Sequence, residues 1–150
     1  MPTTTNIFNR PLELALRAML VATCAKPGTR FSAECLAYLD FVATYGKIFN
    51  VAERNLHGDN TFCFAELLNR VVLMRKALAQ AAAQSYFDFV PSESAGFLFS
   101  LSAKGREFCS LLSNDYVERY INAARQTLRQ FENLDDFELA QTVRDETSRF

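Results

Sequence analysis

The chain has 150 residues, 49% of them apolar, and a formal net charge of −1. That length suits one domain with a real core, and that apolar content excludes a disordered chain. The near-neutral balance argues against a free-standing, high-affinity nucleic-acid binder, which carries a clear positive excess.

Residues 1–9 read as a short polar, flexible arm. The opening MPTTTNIFNRPLEL has no basic segment followed by an apolar run, so a cytoplasmic protein without a signal peptide is expected. Apolar stretches are broken by charges well before 18 residues, too soon to span a bilayer. Pro11 sits where a first-turn proline belongs. Leu12, Ala15, Leu16, Met19 and Leu20 then follow at helical spacing, and Lys26-Pro27-Gly28 ends that helix.

Ser32 is a candidate N-cap for the second helix. Phe31 and Leu36 flank it at the spacing of a hydrophobic staple. Leu36, Leu39, Val42 and Ala43 mark one face, and Gly46 marks the stop. Residues 47–62 lack clean periodicity, with His57-Gly58-Asp59-Asn60 as a turn. A long third helix is predicted from Phe62 to about Gln84. Leu67, Leu68, Val71, Val72, Leu78 and Ala82 are its expected buried side.

The pattern then changes. Tyr86-Phe87-Asp88-Phe89-Val90 and Phe97-Leu98-Phe99-Ser100-Leu101 alternate on either side of a polar, turn-forming stretch, which predicts a hairpin. It is the one convincing β element in the pattern. Helical spacing resumes after Ser102. Ser113 or Asn114 can cap a helix carrying Val117, Tyr120, Ala124, Leu128 and Phe131, and Asp135-Asp136 can start a short final one around Phe137, Ala140 and Val143.

The expected fold is therefore mainly α with a small β-hairpin. Three helices followed by a two-stranded wing is the order of a winged-helix-like core, assigned to residues 10–102, with a C-terminal helical extension over 103–150. The whole chain is read as one domain. Fold analogy alone does not give function.

No catalytic constellation survives inspection, so no catalytic, cofactor or metal residue is assigned. The single histidine, His57, lies in a turn, and its nearest cysteine, Cys63, sits between two phenylalanines. Cys24, Cys35, Cys63 and Cys109 show no C-x-x-C spacing and read as reduced core thiols. Phosphate-loop, dinucleotide and nucleophile-elbow motifs are missing, and only five glycines are available to build such a loop. The wing carries Asp88 and Glu93 with no Lys or Arg, and the third helix offers few side chains able to read bases. What remains is protein recognition. The 14 Phe and 5 Tyr supply rings beyond an ordinary core. The expected partner-binding residues are the hairpin rings Tyr86, Phe87, Phe89, Phe97 and Phe99 and the basic residues Arg70, Arg75 and Lys76.

Several segments in series carry a family resemblance. They are Asn9-Arg10-Pro11-Leu12-Glu13-Leu14-Ala15-Leu16-Arg17, Tyr38-Leu39-Asp40-Phe41 with Tyr45-Gly46, and Asn55-Leu56-His57-Gly58 leading to Glu66-Leu67-Leu68-Asn69-Arg70. Gly96-Phe97, Phe108 to Leu112, Ser113, Tyr116 and the helix to Phe131 continue the series. Together, over roughly residues 9 to 145, the chain resembles the small middle component of bacterial ABC-three-component systems, the Lamassu-type defence operons. The resemblance implies a subunit without an active site that bridges an SMC-like, Rad50-like ATPase and an effector, often a nuclease, against phage or plasmid DNA. ATP and Mg²⁺ would belong to the partner, and any DNA contact would arise within the assembled complex. A winged-helix transcriptional regulator, or an antitoxin of a neighbouring toxin, is the alternative.

Overall fold

The computed structural model describes residues 10–60 and 62–148, so the expected arm at 1–9 lies outside the described residues. The element order is α1 (Pro11–Thr23), β1 (Phe31–Ser32), α2 (Ala33–Thr44), α3 (Cys63–Ala83), β2 (Phe87–Ser92), β3 (Gly96–Leu101), α4 (Ala103–Ser110), α5 (Asp115–Phe131) and α6 (Asp136–Thr147). The fold is mainly helical with a small antiparallel sheet. Among the described residues, no helix is long and apolar enough to cross a membrane.

Local chemistry explains the helix starts. Pro11 opens α1, where its missing N–H would have no helical partner anyway. The side chains of Ser32, Ser102 and Asn114 accept from backbone N–H groups three residues on, starting α2, α4 and α5. Asp135 and Glu138 form a reciprocal capping box at α6.

The core sits around α1 and α2. Ten of the twelve α2 residues are buried, because α1, α3, α5 and α6 all pack on it. Its end at Tyr45 is followed by a close approach. A Cβ on Gly46 would stand 2.8 Å from the Ala52 Cβ, so the glycine is there for contact rather than for a left-handed cap.

The buried face of α3 differs from the expected one. Cys63, Leu67, Arg70, Met74, Ala77, Leu78 and Ala81 face inward, whereas Leu68 and Val72 are exposed. Two stripes compete on this helix, and the winning one contains an arginine.

The sheet also holds more than the hairpin. The strand order is β1-β3-β2, with Phe31 opposite Phe99 and Ser32 opposite Leu98. A two-residue strand has no pattern of its own to read, and exists only because β3 offers it an edge.

Candidate functional site

The hairpin has one apolar face. Its register sets Phe87 against Leu101, Phe89 against Phe99 and Pro91 against Phe97, so these six side chains share one side. The helical core covers only the inner half of that face. Phe87 and Phe99 are buried, whereas Phe89 is 55% exposed and Phe97 48% exposed. Each half keeps an edge-to-face ring pair, Phe87–Phe99 at 6.4 Å and Phe89–Phe97 at 5.7 Å between centroids. Phe87 and Phe99, expected to meet a partner, are therefore core residues. Tyr86 is half-buried against Phe108, with the Lys104 ammonium 4.7 Å from its ring.

Arg75 and Lys76 are exposed on α3. Arg75 pairs with Glu34 at 2.6 Å, an exposed ion pair that contributes little by itself. It also lines a groove of about 740 Å³ between the hairpin tip, the start of α2 and α3, together with Ala79, Phe97 and Phe99. One turn before Arg75, Val72 ends an exposed stripe with Phe64 and Leu68 at i, i+4, i+8 spacing. Sequence reading missed this stripe as surface. Its spacing was visible, but it competed with the inner stripe that Arg70 interrupts.

Arg70 belongs elsewhere. Expected on a partner-facing surface, it is fully buried. Asp40 on α2 is the centre that holds it. The Arg17 guanidinium grips Asp40 as a fork, Nε to Oδ1 at 2.8 Å and Nη2 to Oδ2 at 3.2 Å. Arg70 Nη1 reaches Oδ2 at 3.3 Å, and the Tyr120 hydroxyl donates to Oδ1 at 2.6 Å. Arg70 also donates to Thr44 Oγ1 at 2.6 Å and to the Glu66 carboxylate, which in turn accepts from the Tyr45 hydroxyl and from Asn60. The Phe41 ring lies 5.3 Å beneath the Arg70 guanidinium. Four helices, α1, α2, α3 and α5, thus meet on one buried carboxylate.

Charge balance sets the protonation states. Burial pushes the Asp40 carboxyl up, but Arg17 and Arg70 outweigh it and hold it below the usual carboxylate range. Burial likewise opposes the charge on Arg17, and Asp40 reverses this to leave Arg17 above its usual value. Tyr120 is raised by burial and by the neighbouring Asp40 charge. His57 packs parallel to Tyr116 at 5.8 Å and shares a 2.6 Å hydrogen bond with its hydroxyl. Burial first, then the Arg17 charge, pushes His57 down to about 4, so its ring is neutral at pH 7. Burial raises all four thiols, Cys109 to about 11, which suits packing rather than nucleophilic chemistry. This polar cluster clamps helices together through its charges, although the buried Arg70 Nε has no hydrogen-bond partner among the described residues.

A model of the ABC-three component (ABC-3C) system Middle Component 2 family matches residues 7–150. The chain belongs to this family. No curated protein and no solved structure matches it. As a middle component, it works with the other components of a three-component system. The surface features above are where such a component has apolar area left to offer.

Proposed function

We propose that this middle component is a non-catalytic accessory subunit of a bacterial anti-phage or anti-plasmid complex of the Lamassu type. In this reading it acts in the cytoplasm and bridges an SMC-like, Rad50-like ATPase and an effector, a nuclease in the simplest case. ATP and Mg²⁺ are the partner's. The observation that carries the reading is the uncovered apolar area on α3 and the hairpin. Phe62, Phe64, Leu68, Val72, Phe89 and Phe97 stay exposed in a chain that has buried an Asp and two Arg at its centre. Exposed aromatic and aliphatic side chains near Arg75 and Lys76 have the make-up of a protein-docking patch. In this reading Arg75 and Lys76, exposed on α3, and the half-buried Tyr86 also contribute to partner binding.

Three helices followed by a hairpin, with a short strand after the first helix closing on it, support a winged-helix-like core over residues 10–102. In that reading residues 103–150 extend the same domain, and α5 packs on both α1 and α2. The hairpin carries Asp88 and Glu93 without Lys or Arg, which suits a protein partner better than phosphates.

The test is co-purification of the tagged chain with the products of its two neighbouring genes, read by native mass. Recovery of a large ATPase and an effector is expected, with loss of one of them in a Phe89→Asp/Phe97→Asp variant. Recovery of the chain alone overturns the reading.

A further inference from the structure

Helix α5 collects cations that lie far apart in the sequence. Arg125 and Arg129 are exposed one turn apart, about 6 Å along the axis. A cleft of about 970 Å³ lies on one side of them, lined also by Arg54, Arg119 and Glu53. A second cleft of about 630 Å³ lies on the other side, shares Arg125 and Arg129, and adds Lys26, Arg30 and Glu132. Among the described residues, six cations therefore face two carboxylates in one band across α5. Asp115 pairs with Arg119 at 3.1 Å, but both side chains are more than half exposed, so the pair yields readily to a stronger anion.

Both flanking loops are held in place. Gln130 Nε2 on α5 donates to the Phe49 carbonyl at 2.9 Å, and Asn55 accepts from the Lys47 amide at 3.1 Å, fixing the loop that presents Arg54. Thr29 bonds back to the Lys26 carbonyl through its amide and hydroxyl, and Gly28 takes the left-handed φ of +84° that this turn requires.

We propose that this band binds the phosphate backbone of double-stranded DNA. Five of the six cations are arginines, whose planar fork matches phosphate oxygens. A protein-docking patch needs an apolar centre, yet among the described residues none of the large exposed apolar side chains lines either cleft. Single-strand binding needs exposed rings on which bases stack, and among the described residues no exposed ring lines the clefts either. What remains is backbone contact without base reading. The net charge of −1 concealed this surface, because most of the acids sit elsewhere on the chain. The proposal does not depend on the protein-docking reading, since the two surfaces share no residue.

The test is fluorescence anisotropy of the purified full chain with a labelled random-sequence duplex of about 20 base pairs, with labelled polyglutamate alongside. Expected is micromolar-range binding at about 50 mM salt that weakens roughly 100-fold or more by about 200 mM. Arg125→Glu/Arg129→Glu should weaken it at least about tenfold, and so should Arg30→Glu/Arg54→Glu, which leaves α5 untouched. All four side chains are exposed, so the fold should persist, checked by circular dichroism. Absence of duplex binding at the lower salt, unchanged affinity in both variants, or binding confined to polyglutamate overturns the proposal.

Discussion

Replacing Asp40 by Asn tests the central clamp. The exchange keeps the shape and an acceptor for Tyr120, but deletes the charge that faces two buried guanidinium groups. Arg70 still has Glu66, whereas Arg17 loses its carboxylate. Breaking a buried pair from one side costs about 3–5 kcal/mol, because a charge is left in a poorly solvating interior. For a chain of this size each kcal/mol lowers Tm by about 2–4 °C, so a fall on the order of 10 °C is expected. Thermal and urea unfolding followed by circular dichroism measure it. Adding Arg17→Met to Asp40→Asn removes the guanidinium charge as well. The double variant should therefore lose at least about 2 kcal/mol less than the two single losses summed. An Asp40→Asn protein within about 1 kcal/mol of the parent, or strictly additive losses, refutes the clamp argument.

Acid should weaken the fold in two stages. His57 titrates near 4 when folded against 6.5 when unfolded, so the unfolded chain binds more protons between those values and stability falls as pH drops through that window. The full step is about 3 kcal/mol, and His57→Gln should remove it in urea titrations across pH. Asp40, held below its unfolded value, adds stability above that value that is lost only at still lower pH. Phe87→Ala and Phe99→Ala should each cost about 3–5 kcal/mol in urea unfolding, whereas Phe89→Ala and Phe97→Ala should each cost under about 1 kcal/mol. Gly105→Ala should cost about 1–3 kcal/mol, because its Cβ would press into the Tyr86 carbonyl oxygen, which is backbone and cannot swing aside.

Features made by neighbours in the chain were legible. The Ser32, Asn114 and Asp135 caps each depend on a bond three residues long, and residue type is enough to read them. The hairpin was legible from alternation, and its bounds lie within two residues of the expected ones. The outcome for the expected site residues was uneven. Arg75 and Lys76 are at the surface, but Arg70 is not. One turn before it Arg70 has Glu66, but an i, i+4 pair is as common on an exposed helix face, and the group that turns Arg70 inward, Asp40, lies thirty residues away.

The sequence by itself determined where helices begin, which segment forms the hairpin, and that the chain holds more rings than chemistry. These follow from backbone hydrogen bonds and side-chain period, which act over a few residues. Tertiary structure alone decided which half of the hairpin face is covered, because Phe87 and Phe89 obey the same alternation and differ only in distance from the helical core. It also decided that β1 exists, that α3 turns Arg70 inward, and that Lys26, Arg30, Arg54, Arg125 and Arg129 gather beside one helix. Each of these is an encounter between distant segments. Desolvation and charge act through space, so only the packed chain brings their partners together.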